Sequence, residues 1–130
     1  MHFADRLLAA IDAKGAAACV GLDPVVDRLP EDIQHANGLN LRTSGGSERA
    51  NRESLRSACA AAIEDFCGQV IDEVAPLVPA IKINIAFFEK FGAPGIYAYE
   101  RLVARVRAMG LVVIGDVKRA DIGTTSAQYA

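Results

Sequence analysis

The chain has 130 residues, of which 52% are hydrophobic and 23% are charged, and its formal net charge is −2. This composition is typical of one globular domain and excludes an intrinsically disordered chain. Basic residues are scattered along the sequence, which argues against a nucleic-acid-binding surface because that requires a basic patch. The longest apolar runs are also too short to span a bilayer.

The first half of the chain predicts a helix, a strand and a long helix. Residues 3–14 place apolar side chains on one helical face, and 16–22 ("AAACVGL") read as a short buried strand closed by an Asp-Pro pair. Residues 25–46 are polar, with a helical turn expected after Pro30 and a surface loop at "RTSGGS". The strongest helical periodicity covers 47–75. The apolar face of the first helix contains Phe3, Leu7, Leu8 and Ile11.

The second half repeats the alternation of strands and helices. Strands are predicted at 79–84 and 111–118, with a connection ("AFFEKFGAPG") and a helix over 96–109 between them, and a helix starts at "TTSAQYA". Continuous apolar strands that alternate with amphipathic helices predict right-handed βαβ units and a parallel sheet. Because three parallel strands make a poor independent sheet, we expect the first part of a larger α/β structure.

The N-terminus and the cysteines bear on cellular location. "MHFADRLLAAIDAKG" has an early acidic residue, no basic n-region and no small-residue cleavage site, so it is not expected to be a signal peptide. Cys19, Cys59 and Cys67 are odd in number and show no C-x-x-C spacing. We therefore expect reduced, mostly buried thiols in a cytosolic protein.

Ionisable residues follow or end all three predicted strands. Asp23 comes after the first strand, Lys82 lies within the second, and Asp116 and Lys118 end the third. In parallel α/β folds the carboxyl ends of the strands carry the chemistry. Strand alternation places Asp116 and Lys118 on one face, above two apolar residues of the same strand. The sequence thus predicts a rim of converging charges.

Each of these residues also has an ordinary structural interpretation. "DVKRAD" resembles a solvated turn, Lys82 could extend to solvent at a sheet edge, and Asp23 could simply form a turn. Thr125 could be a helix N-cap. Arg119, by parity, points away from Lys118 and is expected at the surface or against a helix. The coincidence of charges at three strand ends favours the functional interpretation.

If these groups converge, Lys82 and Lys118 interleaved with Asp116 and Asp121 would form an array in which each ion has an opposite neighbour. Opposite charges within about 4–6 Å favour the charged form, so both lysines should remain ammonium ions. A cationic lysine held by carboxylates suits a reaction that develops negative charge on carbon and then needs a proton.

Three segments resemble one enzyme family. "DVKRADIGTTS" resembles the D-x-K-x-x-D-I-x-x-T signature of the orotidine 5′-phosphate decarboxylases, "CVGLDP" looks like their first strand, and "KINIAFFEKFGAPG" looks like their second strand and following loop. The resemblance implies a TIM (β/α)₈ barrel of which about the first three β/α units are present. Residues 1–130 would be the N-terminal part of one domain, with 25–57 as a loop and helical insertion similar to that of the long-chain bacterial subfamily.

The resemblance implies catalytic roles by motif position. Lys118 would stabilise a carbanion at C6 of the substrate and then protonate it. Asp116 would lie near the substrate carboxylate, Asp121 would reach into the active site of a partner subunit, and Lys82 would complete the array. Pre-placed charges of this kind are usually the largest single contribution to catalysis.

The resemblance also implies substrate contacts and partners. Asp23 and Lys82 would contact the ribose hydroxyls, and Thr125, with Ile122 beside it, would contact the ligand across a homodimer interface. The substrate would be orotidine 5′-phosphate, converted to UMP and CO2 in de novo pyrimidine biosynthesis, without metal or organic cofactor. Phosphate- and pyrimidine-binding residues would lie beyond 130, so the chain alone is expected to be inactive or nearly so.

Other interpretations remain open at this point. A sugar-phosphate synthase or decarboxylase of the same superfamily shares D-x-K-x-x-D but uses Mg²⁺. A non-catalytic fragment of a truncated gene would expose apolar faces and depend on association with another chain. A plain α/β binding module is the weakest alternative, because it leaves the charges at the strand ends unexplained.

Overall fold

A computed structural model of the chain describes residues 2–39, 48–119 and 122–129. These residues form three strands and six α-helices, with a short 3₁₀ turn after the first strand. In chain order the elements are α1 (Phe3–Lys14), β1 (Cys19–Leu22), the 3₁₀ turn (Val26–Arg28), α2 (Glu31–Ala36), α3 (Glu48–Val74), β2 (Ala80–Asn84), α4 (Ala86–Glu89), α5 (Ala93–Ala108), β3 (Val112–Asp116) and α6 (Gly123–Ser126).

The strands form one parallel sheet in the order β1-β2-β3. Gly21 of β1 pairs with Lys82 of β2, which in turn pairs with Ile114 of β3, and one step further Asn84 pairs with Asp116. The predicted parallel sheet with helical crossovers is confirmed. Because the strands are parallel and in register, their carboxyl ends reach the same edge.

The two faces of the sheet have different environments. Side chains alternate between faces along a strand, and Leu22, Ile81 and Ile83 are buried on the face that packs with α3 and α5. The opposite face carries Lys82 and the 36% exposed Ile114. The helices contribute a continuous apolar core to the first face: Ile63, Cys67, Ile71, Ala98, Leu102 and Val106. The charged residues therefore stand on the face that the described helices leave open.

Two bidentate ion pairs join α3 and α5. Arg101 donates through Nε and Nη2 to both carboxylate oxygens of Glu64, and Arg105 donates in the same way to Asp72. A planar guanidinium matches a carboxylate in this paired geometry. The pairs link the exposed sides of the two helices that cover the sheet.

The segment between β2 and α5 differs from the prediction of a plain connection. "AFFE" forms the short helix α4, and α5 begins at Ala93 instead of near 96. Gly92 precedes α5 with φ 68° and ψ −144°, a conformation that needs glycine. Pro94 then lies in the first helical turn, where its missing N–H is tolerated. These two residues allow the helix to start directly after a tight turn.

Helix α1 has its predicted bounds, but its apolar face is not buried by the described part of the chain. None of its residues is buried, and Phe3 and Leu8 are 46% and 59% exposed. Its C-terminus is held by Lys14, whose Nζ donates to the carbonyl oxygen of Ala75 at 2.7 Å. The "RTSGGS" segment lies outside the described residues. The upper boundary of the 25–57 insertion falls inside α3, and its status as an insertion stays a prediction.

Candidate active site

Four of the predicted site residues meet at the carboxyl edge of the sheet. The Lys82 Nζ lies 3.3 Å from Oδ2 of Asp116 and 3.7 Å from Oδ2 of Asp23. The Lys118 Nζ donates to the other oxygen of Asp116, Oδ1, at 2.8 Å. Each oxygen of the Asp116 carboxylate is thus engaged by a different lysine. The predicted alternation of charges is present for Lys82, Asp116 and Lys118, with Asp23 as a further neighbour of Lys82, whereas the fourth predicted member, Asp121, lies outside the described residues. We call Asp23, Lys82, Asp116 and Lys118 the charged rim.

The lysines keep Asp116 ionised. The hydrogen bond from Lys118 is the main reason that the pKa of Asp116 lies below its usual value, with a further hydrogen bond from Lys82 acting in the same direction against partial desolvation. A carboxylate held by two ammonium groups remains charged at neutral pH. Asp116 therefore presents a fixed negative charge to the two lysines.

Gly21 makes room for the long side chain of Lys82. A Cβ on Gly21 would lie 3.4 Å from Cε of Lys82 and 3.3 Å from Oδ2 of Asp23. The pairing of β1 with β2 puts Gly21 and Lys82 side by side on the open face of the sheet. A glycine at this position lets the lysine lie over β1 and reach both aspartates.

Asn84 is a site residue that the sequence interpretation missed. It is 3% exposed, and its Nδ2 donates to Oδ1 of Asp23 at 2.9 Å and to Oγ1 of Thr125 at 3.4 Å. Its Oδ1 accepts from the backbone N–H of Ala86 at 3.2 Å. The sequence contained a signal for this residue: Asn84 is a polar residue at the end of a mostly apolar strand, two positions after Lys82 and hence on the same face of the sheet.

Two residues after Asp121, Ile122 and Thr125, are predicted to contact the ligand, and the structure brings Thr125 to the site. Thr125, in α6, is half-buried and meets Asn84. Ile122 is 86% exposed, so its side chain is not packed into the charged rim. Asp121 lies outside the described residues, and its placement in the site stays a prediction.

Arg119 lies on the other side of the segment, as parity predicts. It pairs with Glu89 of α4, which also accepts a hydrogen bond from the Tyr129 hydroxyl at 3.1 Å. The hydrogen bond from Arg119 is the main reason that the pKa of Glu89 is lowered. Glu89 therefore ties α4 to residues on both sides of α6 and holds the segment that carries Lys118.

The cysteines are mostly buried, as predicted. All three are free thiols, with Cys59 and Cys67 buried. Burial, assisted by the nearby Asp23, raises the pKa of Cys67 to about 12. Cys19 is exposed, because it lies at the start of β1 on the open face of the sheet.

These observations define one class of structure: parallel β/α units whose ionisable side chains gather at the carboxyl ends of the strands. No helix within 2–39, 48–119 and 122–129 has the length and apolarity needed to cross a membrane. In the same residues no group of three or more His, Cys, Asp or Glu side chains is placed to hold a metal ion.

Comparison with known proteins gives the family. The family model described as "Orotidine 5'-phosphate decarboxylase / HUMPS family" matches residues 18–130. The chain is 40% identical over its whole length to the orotidine 5′-phosphate decarboxylase of Rhodopirellula baltica and 39% identical over 98% of its length to that of a Nocardioides species. It spans 38% of the length of each of these relatives. The chain belongs to the orotidine 5′-phosphate decarboxylase / HUMPS family.

Solved structures agree with this assignment. A Toxoplasma gondii protein assigned as an orotidine-monophosphate decarboxylase is 31% identical and superposes with a TM-score of 0.63, covering 96% of this chain and 34% of that one. The Plasmodium berghei orotidine 5′-monophosphate decarboxylase, at 22% identity, supports the fold, with a TM-score of 0.66 over 98% of this chain and 47% of that one. The family resemblance and the barrel-type fold predicted from sequence are confirmed.

Proposed function

We propose that this chain supplies the charged centre of an orotidine 5′-phosphate decarboxylase, the enzyme that forms UMP and CO2 in pyrimidine biosynthesis. The observation that carries the proposal is the division of the Asp116 carboxylate between Lys82 and Lys118. Both lysines lie in the region matched by the family model. The relatives named above carry the decarboxylase name, which favours this reaction over the magnesium-dependent one.

The proposed chemical step uses Lys118 as both electrostatic partner and proton donor. The bond between C6 of the substrate and its carboxylate breaks, CO2 leaves, and the electron pair stays on C6. The Lys118 ammonium faces that developing negative charge and then gives a proton, so a C6–H bond forms and UMP results. The neutral amine regains a proton from water. Because the ammonium is already held by Asp116 at 2.8 Å, little reorganisation is needed during the reaction.

The other members of the charged rim have binding and orienting roles in this proposal. Asp116 lies beside the departing carboxylate and fixes the direction of Lys118. Lys82 and Asp23 contact the ribose hydroxyls, since they stand together at the ends of β2 and β1, beside the reacting centre on β3. Thr125 and Ile122 lie shortly after Lys118 in the chain and contact the ligand across the homodimer interface. No metal or organic cofactor takes part, so EDTA should leave the rate unchanged.

A homodimer with shared active sites completes the proposal. Asp121 of one subunit would enter the partner's site, so neither subunit would be competent alone. Mixing inactive Lys118→Ala and Asp121→Ala dimers should restore part of the activity through hybrid sites. No recovery after confirmed subunit exchange would refute the role assigned to Asp121. The free thiols of Cys59 and Cys67 support a reducing, cytosolic location.

The role of Lys118 is tested by substitution in the native protein that carries this chain. Lys118→Ala should lower the turnover of orotidine 5′-phosphate by at least about a thousandfold while the protein stays folded, because it removes both the charge and the proton donor. Lys14→Ala is a matched control, since its Nζ also makes a 2.7 Å hydrogen bond but to a backbone carbonyl after α3. Turnover retained by Lys118→Ala would sink the proposed mechanism.

A further inference from the structure

We infer that Asn84 is a positioning residue that holds Asp23 and Thr125 in place for substrate binding; this inference rests on the proposed function. Asn84 is the last residue of β2 and is 3% exposed. It is the polar or charged residue that the described part of the chain buries most completely. Its side chain lies where the ends of β1 and β2 and the segment containing α6 meet.

The orientation of the Asn84 amide follows from its backbone partner. The oxygen Oδ1 accepts from the N–H of Ala86 at 3.2 Å, at the start of α4. A carbonyl oxygen must face that N–H donor, so the amide nitrogen has to point the other way. It then meets two acceptors, Asp23 Oδ1 at 2.9 Å and Thr125 Oγ1 at 3.4 Å. The start of α4 thus determines which way the NH2 group points.

This geometry connects two residues that are far apart in sequence: Asp23, which is proposed to bind substrate in its own subunit, and Thr125, which is proposed to contact the ligand across the homodimer interface. Asp23 is 61 positions from Asn84 and Thr125 is 41 positions away. The other oxygen of Asp23 faces Lys82 at 3.7 Å. The Asp23 carboxylate is therefore held by two groups: the Asn84 amide contacts one of its oxygens, and the Lys82 ammonium faces the other. Loss of the amide would leave one long ion pair to orient this carboxylate.

The substitution Asn84→Asp keeps the contact with the Ala86 backbone and changes the contact with Asp23, so it tests the two contacts separately. The retained Oδ1 can still accept from the Ala86 N–H, so the start of α4 keeps its partner. The new oxygen, however, faces Asp23 at about the 2.9 Å now occupied by the amide contact. Two carboxylates at this distance cannot both ionise without strong repulsion, so one proton is shared and the pair titrates as a unit.

The surrounding charges determine how this pair responds to pH. Lys82 faces Asp23 from β2, and Asp116 faces Lys82 from β3. The Cys67 thiol of α3, with its pKa of about 12, stays protonated throughout the range of the experiment. In Asn84→Asp the shared proton is present at low pH and lost as pH rises. The KM of this variant should therefore increase with pH, which a purely structural role of Asn84 would not produce.

The experiment compares the kinetics of Asn84→Asp, Asn84→Ala and the unsubstituted native protein between about pH 5 and pH 8. At pH 8 both variants should raise KM about 10- to 100-fold, as expected for the loss of a hydrogen bond to a charged group, with a smaller decrease in kcat. At pH 5 the KM of Asn84→Asp should approach the unsubstituted value, whereas that of Asn84→Ala should not.

Asn37→Asp is the matched control. The Asn37 Nδ2 also donates to a carboxylate oxygen, that of Asp65, at 3.1 Å, and to the carbonyl of Ile33 at 2.9 Å, away from the charged rim. It should alter the melting temperature without a pH-dependent KM. If Asn84→Asp melts near the unsubstituted protein and shows an unchanged KM at every pH, the positioning role is overturned. If the unsubstituted protein does not turn over orotidine 5′-phosphate, the proposed function fails and the positioning role fails with it.

Discussion

Gly95 provides a sharp test of the packing between α4 and α5. It is buried in the first turn of α5, where a Cβ would lie 1.9 Å from the carbonyl oxygen of Phe88 and 2.8 Å from its carbonyl carbon. Ordinary carbon–oxygen contacts are about 3.3–3.6 Å. Gly95→Ala therefore needs a backbone movement of more than an ångström, on the order of 1.5 Å. The clash is with main-chain atoms, which cannot rotate away.

The expected loss of stability for Gly95→Ala is large for one methyl group. Overpacking a buried position usually costs about 1–3 kcal/mol, and displacement of backbone puts this substitution at or above the upper end. The better helix propensity of alanine offsets at most about 1 kcal/mol of this. In a domain of barrel size each kcal/mol lowers the melting temperature by about 2–4 °C, so a decrease of roughly 4–12 °C is expected.

Gly68 is the matched control for this substitution. It is also a buried helical glycine, in α3, but a Cβ there would lie 3.4 Å from Nη1 of Arg105, at the flexible end of a side chain. Gly68→Ala should be neutral or stabilising by up to about 1 kcal/mol through helix propensity.

The two glycine variants are compared by thermal and urea unfolding of the native protein that carries this chain. The unfolding midpoint of Gly95→Ala should be strongly lowered, whereas that of Gly68→Ala should be unchanged or raised. A Gly95→Ala protein as stable as the unsubstituted one would show that α4 and α5 do not approach as closely as the structure has them.

Three other residues give tests of burial and charge. Cys67, with its pKa raised to about 12, should resist iodoacetamide at pH 8 in the folded protein, and its early alkylation in a mass-spectrometric time course would contradict its burial. Glu89→Gln should cause only a small loss of stability, because the Arg119 guanidinium that Glu89 pairs with is largely exposed. Since the pKa of Glu89 is lowered, the stabilising contribution of the pair exists above the usual glutamate pKa and disappears as pH falls through the lowered value. Urea unfolding at several pH values measures this dependence. Asp116→Asn should lower turnover about 100-fold or more, because it removes the charged oxygen that the Lys118 Nζ contacts at 2.8 Å, and near-normal kinetics would refute the orienting role.

Local sequence signals were sufficient for most of the fold. The apolar periodicity of α3 and the mostly apolar sequence of β2 predicted the bounds of both elements to within one or two residues. The charges at the strand ends predicted the charged rim, because parallel strands in register bring their carboxyl ends to one edge. Gly92 and Pro94 mark the start of α5, but the first turn of this helix has no apolar periodicity, so the periodic pattern predicts a start near 96, about three residues after the observed one.

Contacts between distant residues could not be predicted in the same way. Strand parity places Asn84 on the face of the charged rim, but its contacts with Asp23 and Thr125 depend on how three separate segments meet. The pairing of Glu89 with Arg119, 30 positions apart, likewise depends on the position of α4. Such pairings have no local periodicity, and any of several arginines or glutamates would have satisfied the sequence pattern.

Exposure depends on packing partners, which periodicity does not reveal. Helix α1 has the expected apolar face, yet none of its residues is buried within the described chain. Cys19 was expected among mostly buried thiols and is exposed at the start of β1. Periodicity tells which side of an element is apolar, whereas the neighbouring element decides whether that side is covered.

The most direct test of the central claim is to incubate the native protein that carries this chain with orotidine 5′-phosphate in D2O and to identify the products. We expect equal amounts of CO2 and UMP, formed at a rate that EDTA does not change. Each UMP should carry one deuterium at C6, because the exchangeable Lys118 ammonium supplies that hydrogen. Absence of UMP, or formation of UMP only with added Mg²⁺, would contradict the assignment of the charged rim to this decarboxylation.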